Sequence, residues 1–208
     1  MTAPKPEPHV AALNKARSDL LKLDPYKAAY MAGCNFLADE AGGRFVVPFF
    51  GMDYTVQVPQ VSVCSAAGHE PDVATRLVLL HYLIHADGTP PSDHWVSFRE
   101  LPDGRVYDPA FHKRSSLRLG QVFGQDAKAF AMAAEALGGE RLTFGDASYM
   151  FRLLPRLRMA VVLHVGDEEF GPAVTVLFDA AAGHCLPTED LAVLGGMLTS
   201  RLIKAGSP

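Results

Sequence analysis

The stretch that decides the fold class is RFVVPFFGMDYTVQVPQVSVCS, residues 44–65. It contains three short segments rich in β-branched and aromatic residues, separated by Gly51, Asp53 and Pro59, and this pattern predicts a β-meander. Pro48 and Pro59 have no N–H to donate to a ladder, so we expect them at a sheet edge, a strand end or a bulge. The stretch therefore predicts an antiparallel sheet.

Helical and strand patterns follow one another in groups on either side of this meander. Apolar spacing and capping residues predict helices over residues 9–22, 25–39, 71–86 and 126–137 and a last helix capped by Thr188. Further strands are predicted over residues 94–101, 105–111, 149–154, 158–165 and 173–178. Because strict βαβ alternation is missing, we predict an α+β fold with a mostly antiparallel sheet and about five helices packed on it. It forms a single domain over residues 9–208, behind a mobile Pro-rich lead over residues 1–8.

Composition excludes several classes of protein. The chain has 208 residues, a formal net charge of −4 and a pI near 6.0, so it lacks the Lys/Arg surplus that nucleic-acid binding requires. Its apolar runs are far shorter than the ~20 residues of a membrane span, and MTAPKPEPHV lacks the apolar core of a signal peptide. Cys34, Cys64 and Cys185 are odd in number and widely spaced. We therefore expect a reducing cytoplasm and no disulfide framework.

The densest group of chemically active side chains is HYLIHADGTPPSDHWVSFREL, residues 81–101. His81 and His85 stand four apart in a helical pattern, which puts them on one side of the helix and suits chelation of one ion. His94 is the candidate third ligand. The general-base glutamate of the H-E-x-x-H signature is missing, so this is not a metalloprotease motif. The alternative is that the histidines lie at the edge of the core and hydrogen-bond to the backbone.

The same stretch contains a candidate ligand site at Trp95 and Arg99. If residues 94–101 form a strand, Trp95, Ser97 and Arg99 share one face. An exposed tryptophan beside an arginine suits a planar ligand or an anion. The alternative is a buried Trp95 and an Arg99 that pairs with a structural carboxylate.

A third candidate group is formed by carboxylates, above all Asp146 and Asp179. Clustered carboxylates bind hard cations or perform acid–base chemistry, but they also cap turns. Asp179 follows the predicted strand VLFD, and we expect it to lie close to the helix start at Thr188, Glu189 and Asp190. We predict that at least one of these three carboxylates pairs with an arginine or with backbone donors, and that the junction stabilises the fold.

Several phrases of the chain together resemble one family: HYLIHADGTP, WVSFREL, GDASY, GDEEF, VLFD and LPTEDLAVL. They are similar to the bacterial and archaeal family called domain of unknown function 3786, over nearly the whole chain. The resemblance implies no established activity. Its members occur largely in anaerobes, and some carry an iron–sulfur segment that this sequence lacks. The matching recurrent positions are His81, Trp95, Phe98, Arg99, Asp146, Asp167, Glu169, Phe170, Asp179, Glu189 and Asp190. His85 departs from the pattern.

The sequence contains no nucleotide-binding glycine motif, nucleophile elbow or C-x-x-C pair, so it indicates no particular reaction. Our leading hypothesis is a cytoplasmic ligand- or cofactor-binding accessory protein of anaerobic metal or tetrapyrrole metabolism, with a metal or a tetrapyrrole as the cofactor. The candidate ligand-binding residues are His81, Trp95, Arg99, Asp146 and Asp179. One alternative is an enzyme with His81 as acid or base and Arg99 as anion anchor, which requires both side chains in one pocket. Another is a protein-interaction module with an exposed apolar patch.

Overall fold

The structure, a computed structural model, describes residues 8–206 except for the side chain of Pro8. The predicted mobile lead therefore lies outside the described residues apart from Pro8, which begins the first helix. The α+β class is confirmed, but the strands form two antiparallel sheets, of four and five strands, rather than one. Two compact units contain them: residues up to Thr89 with His184–Leu186, and Pro90–Gly183 with the residues from Pro187 onward. Both lie within the span that the sequence predicts as a single domain, and we describe each by itself.

The first unit begins with helices α1 (Pro8–Leu20) and α2 (Pro25–Ala32). The Asp24 carboxylate accepts the Lys27 N–H at 2.8 Å and Pro25 occupies the first turn, as a helix start requires. The prediction that this second helix continues to residue 39 is wrong. Gly33 adopts a left-handed φ of 65° and closes the helix, so the following residues are free to form a strand.

The sheet of the first unit contains the predicted meander. Its strands are β1 (Asn35–Leu37), β2 (Gly43–Phe49), β3 (Met52–Val58) and β4 (Ser62–Ser65), paired in that order. Pro48 lies beyond Val46, the last residue of β2 that pairs with β1, and next to the end of β2. Pro59 follows the last residue of β3. Both prolines therefore lie where the ladder needs no donor, as predicted.

Helix α3 (Val73–His85) packs against α1 and α2. Apolar spacing predicts a buried face at Val73, Leu77, Leu80 and Ile84, widened by Leu79 and Leu83. Leu79, Leu80 and Leu83 are buried, whereas Val73, Leu77 and Ile84 are only half-buried, so the buried face is rotated toward Leu79 and Leu83. This helix is apolar on most sides, so the spacing of its apolar residues does not single out one face. Tyr82 fixes the orientation: it is fully buried, and its hydroxyl donates to the carbonyl of Ala32 at 2.5 Å.

The second unit contains the five-stranded sheet and four helices. The strands pair in the order β5-β9-β8-β7-β6: β5 (Trp95–Ser97), β6 (Glu140–Arg141), β7 (Ala147–Leu154), β8 (Leu157–His164) and β9 (Ala173–Asp179). The helices are α4 (Gly104–Arg114), α5 (Ser116–Phe123), α6 (Ala127–Ala136) and α7 (Thr188–Ala205). Helix α5 packs on β9, α6 packs on β7, and α7 contacts the other three helices. No helix within residues 8–206 is both long and apolar enough to cross a membrane.

Two predicted strands of this unit are wrong. The strand over residues 94–101 stops at Ser97, where the Glu100 carboxylate accepts both the Ser97 N–H (2.7 Å) and its hydroxyl (2.6 Å) and turns the chain into a 3₁₀ helix, Phe98–Glu100. Residues 105–111 belong to α4, although Pro109 lies inside it. Burial of Phe111 provides the reason, because its ring stacks on that of Phe98 at 4.2 Å and so favours the helix over a strand.

Helix α7 begins one residue earlier than the predicted cap at Thr188 implies. Pro187 is the N-cap, and Thr188 is the first helical residue. The Thr188 hydroxyl donates to the carbonyl of Pro102 at 2.6 Å instead of capping the helix. Within α7, a Cβ at Gly195 would lie 2.4 Å from the Phe111 ring, whereas nothing lies within 4 Å of one at Gly196. Of the two adjacent glycines, only Gly195 allows another side chain, that of Phe111, to pack closely against α7.

Candidate ligand-binding cleft

A cleft of about 560 Å³ opens in the second unit, and all of its lining residues belong to that unit. Its walls come from the end of β5 and the 3₁₀ helix that follows, from α4 and α5, and from β9. The floor is apolar, with buried Phe98 and Phe111 on one side and buried Val174 and Val176 on the other. The two phenylalanine rings lie nearly parallel, at an interplanar angle of 13°. The cleft therefore has an apolar floor supported by a stacked pair of aromatic rings.

Polar side chains line the rest of the cleft: Ser97, Arg99, Asp108, His112, Ser116 and Gln121. Arg99 lies on the 3₁₀ helix and is exposed. Asp108 and His112 are four residues apart on α4, which places both on the same side of that helix. The cleft thus combines an apolar floor with a guanidinium, a carboxylate and an imidazole.

The predicted pairing of Trp95 with Arg99 on one strand face is wrong, because β5 ends before Arg99. Trp95 is half-buried and lines a second groove of about 520 Å³ together with His94, Phe144 and other residues of the second unit. Thr175 of β9 lines both spaces. The structure therefore places Arg99 in the cleft and Trp95 in the second groove, and the two spaces share Thr175 as a lining residue.

Asp179 is fully buried at the end of β9, and its carboxylate is surrounded by donors. It accepts the N–H and the hydroxyl of Ser92 (2.9 and 2.8 Å), the N–H of Asp93 (2.8 Å) and the N–H of Ala181 (2.8 Å). Burial raises the pKa of Asp179, but these hydrogen bonds, led by that from Ser92, lower it below its usual value. The prediction that a carboxylate of this junction pairs with backbone donors is confirmed.

Two further carboxylates of this unit, those of Asp146 and Asp167, also accept hydrogen bonds from backbone N–H groups. Asp146 accepts the N–H of Val165 at 2.8 Å and closes the hairpin of β7 and β8. Asp167 accepts the N–H groups of Phe170 (2.7 Å) and Glu169 (2.9 Å), and these bonds lower its pKa. Asp146 therefore joins the two chain ends of the β7–β8 hairpin, Asp167 caps a turn, and neither lines the cleft.

His81 and His85 lie one turn apart on α3 of the first unit, as their spacing predicts. Their ring centroids are 5.9 Å apart; His81 is half-buried and His85 is exposed. Over residues 8–206, no group of three or more His, Cys, Asp or Glu side chains is placed to hold a metal ion. The candidate third ligand, His94, is exposed and lies in the Trp95 groove of the second unit.

Another histidine of the first unit has a clear partner. His184 Nδ1 lies 2.8 Å from a carboxylate oxygen of Asp87, whose other oxygen accepts the Thr89 N–H at 2.9 Å. Hydrogen bonds from Thr89 and then from His184 lower the pKa of Asp87 well below its usual range. Asp87 therefore serves to hold two chain segments of the first unit together.

Sequence analysis missed Asp108 and His112 as site residues. The cause was the strand predicted over RVYDPAF, residues 105–111, where the internal proline Pro109 argues against a helix. One signal for the helix was present, because His112, Lys113 and Arg114 form a basic last turn, which the helix dipole favours. Read as a helix, the segment brings Asp108 and His112 to one face.

Fold and cleft together define an α+β protein with a pocket large enough for a small molecule. A family model described as Domain of unknown function (DUF3786) matches residues 24–201, which is most of the chain. The protein belongs to this family, as the quoted phrases predicted. No curated protein and no solved structure matches the chain significantly.

Proposed function

We propose that this protein binds a small molecule in the cleft of its second unit. The observation that carries the proposal is the cleft itself: about 560 Å³ lies within the range of small-ligand sites. Such sites join a largely apolar lining to a few placed polar groups, and this cleft does the same with Phe98 and Phe111 on its floor and Arg99 at its wall.

The cleft also rests on a rigid frame, which favours a preformed site. Phe111 lies 5.6 Å from Phe178 of β9 in addition to its stack with Phe98, so three aromatic rings support the floor. Arg99 is held by the 3₁₀ helix, whose start is closed by the bonds between Glu100 and Ser97. Hydrogen bonds from Ser97 lower the pKa of Glu100, so that carboxylate is ionised and engaged in the turn. Little ordering is then required when a ligand binds.

The proposal is tested by measuring how a variant with a blocked cleft binds the neutral apolar probe N-phenyl-1-naphthylamine. Gly120 lines the cleft, and a Cβ there would meet Val174 at 3.9 Å, an ordinary contact, so a larger side chain at this position projects toward the cleft wall. We expect the parent protein to bind the probe and Gly120→Leu to weaken binding about tenfold or more. Gly120→Ala is the matched control and should bind nearly as the parent does.

The readout is energy transfer from Trp95, the single tryptophan, which lies two residues from Ser97 in the cleft wall. Circular dichroism melts confirm that all three proteins are folded. A parent protein that binds no probe, or a Gly120→Leu variant that binds it unchanged, contradicts the proposal.

The narrower part of the proposal is a cytoplasmic accessory protein of anaerobic metal or tetrapyrrole metabolism. Within residues 8–206 none of the three cysteines forms a disulfide, which supports a reducing compartment. Absorbance spectra and metal analysis of protein purified without oxygen test the cofactor. A colourless, metal-free preparation that also binds neither haem nor a corrinoid contradicts it.

An enzyme remains the second candidate, and one observation favours it. Asp108 and His112 lie on one side of α4 in the cleft that also contains Arg99, so an acid–base pair and an anion anchor share one space. The predicted acid or base, His81, is not among the described residues that line this cleft. In an enzyme of this kind His112 takes that role, and His112→Gln abolishes turnover while leaving probe binding intact.

The interaction-module alternative requires an exposed apolar patch. On α2 of the first unit, Tyr26 and Tyr30 are one helical turn apart and are 61% and 73% exposed. If a second copy of the chain covers these rings, the protein sediments as a dimer and Tyr26→Ser converts it to a monomer. A monomer at all concentrations contradicts self-association through α2.

A further inference from the structure

We infer that the ligand of the cleft is an amphipathic anion: an apolar body on the Phe98–Phe111 floor and a terminal carboxylate or phosphate at Arg99. This inference rests on the proposed function and deepens it by naming the class of ligand. Its two elements, an apolar body and a negative end, come from two separate observations on the cleft.

The apolar element follows from the floor. Phe98, Phe111 and Val176 are at most 6% exposed, and they present carbon atoms alone to the bottom of the cleft. The two phenylalanine rings are stacked on each other, so they hold one another in place. A polar ligand placed there loses hydrogen bonds to water without replacement, whereas an apolar body gains about 25 cal/mol for each Å² removed from water.

The negative element follows from the charges of the wall. Arg99 lines the cleft, and a guanidinium presents the paired donors that carboxylates and phosphates accept. Among the described lining residues, Asp108 is the single carboxylate. Glu100, the neighbour of Arg99, is already engaged by Ser97 and does not line the cleft.

The surrounding segment favours the same sign of ligand. Residues 99–118, which contain the 3₁₀ helix, α4 and the start of α5, contain five Lys or Arg residues and three carboxylates: Arg99, Arg105, Lys113, Arg114 and Arg118 against Glu100, Asp103 and Asp108. The chain as a whole has a net charge of −4. Of these residues only Arg99 and Asp108 line the cleft, but the segment around it has a surplus of two positive charges on a negative protein, which favours the approach of anions to this region.

The test compares 8-anilino-1-naphthalenesulfonate, an aromatic anion, with its neutral analogue N-phenyl-1-naphthylamine. We expect Arg99→Gln to weaken binding of the anion about tenfold, because a charge-assisted contact is lost, and to leave the neutral probe unchanged. Asp108→Asn should strengthen binding of the anion about threefold, because a like charge is removed. The control is Arg152→Gln, an exposed arginine of β7 outside the cleft, which should change neither affinity.

Displacement of the anionic probe distinguishes the two sources of negative charge. We expect 1-naphthoate or 1-naphthyl phosphate to displace it at lower concentrations than 1-naphthol, and the better of the two acids identifies the end group. Arg99→Lys provides a second variant, which keeps the charge but not the paired donors and should fall between the parent and Arg99→Gln.

The outcomes separate this inference from the proposed function. If the neutral probe binds and Gly120→Leu blocks it, but Arg99→Gln leaves the anion unaffected, the cleft is a site and the anionic class is wrong. The anionic class is equally wrong if Asp108→Asn weakens binding of the anion, or if the cationic dye thioflavin T binds more tightly than the anion. If neither naphthyl probe binds the parent, both the function and the class are overturned.

Discussion

We expect replacement of Asp179 by alanine to lower the free energy of unfolding by about 3 kcal/mol, since a hydrogen bond to a buried charge contributes about 1.5–3 kcal/mol. The side chain is fully buried and accepts bonds from three backbone N–H groups, of Ser92, Asp93 and Ala181, and from the Ser92 hydroxyl. Alanine removes the shared acceptor of these donors, of which that of Ala181 is buried and those of Ser92 and Asp93 are part-buried. Urea unfolding at pH 7 measures the loss.

The contribution of Asp179 also depends on pH. Its hydrogen bonds hold the pKa below the usual value of about 4 despite burial, so the carboxylate binds a proton more readily in the unfolded chain. The stabilisation is therefore complete above about pH 4 and is lost as the pH falls through the folded-state pKa. We expect the difference in stability between the parent and Asp179→Asn to shrink as the pH is lowered from 5 through about 4 and below.

Asp146→Ala is the matched control for this site. Asp146 is exposed and accepts the single N–H of Val165, so its loss should destabilise by only about 1 kcal/mol. If Asp179→Ala instead melts with the parent protein but no longer binds the naphthyl probes, the junction is part of a binding site and our structural assignment of Asp179 is wrong.

The second large effect concerns the two adjacent glycines of α7. We expect Gly195→Ala to destabilise the protein by about 2 kcal/mol, because the new Cβ would lie 2.4 Å from Phe111 Cε2. Phe111 has little room to move, since its ring is stacked on Phe98 and lies against Phe178. Gly196→Ala should instead stabilise by up to about 1 kcal/mol, because nothing lies within 4 Å of its Cβ and alanine favours a helix.

Thermal unfolding of the two variants distinguishes packing from helix propensity, because propensity alone predicts the same sign for both. Phe111→Leu combined with Gly195→Ala should recover part of the loss, since leucine lacks the ring atoms that clash. Phe111 also forms the floor of the cleft, so Gly195→Ala should weaken binding of N-phenyl-1-naphthylamine while Gly196→Ala does not. Equal effects of the two alanine variants on stability contradict this packing argument.

Local sequence patterns predicted the structure correctly where residues close together in the chain determine it. Residues 44–65 predicted the meander because alternation and turn residues act over a few positions. Asp126 predicted the start of α6, and its carboxylate does accept the Ala129 N–H at 2.8 Å. The chain beyond Gly33 shows where this fails, since apolar spacing continued while one left-handed glycine ended the helix.

Only some residues of the candidate site could be predicted, because the others depend on contacts between residues far apart in the chain. The residue type of Arg99 was enough to predict it as an anion-binding residue. The position of Asp179 at a strand end indicated that it accepts from backbone donors. Two of those donors, however, belong to Ser92 and Asp93, which are 87 and 86 positions away in the chain. Such partners follow from pairing of β5 with β9, which no local pattern specifies.

The sequence by itself determined the α+β class, the family, the meander and the helix starts at Asp24 and Asp126, because each depends on side chains within a few residues of one another. Tertiary structure alone decided the cleft. Residues 105–111 have a strand-like pattern and an internal proline, and they become helical where Phe111 is buried against Phe98 and Phe178. That packing turns Asp108 and His112 toward Arg99, because burial of an aromatic ring outweighs the weak local preference of the segment for a strand.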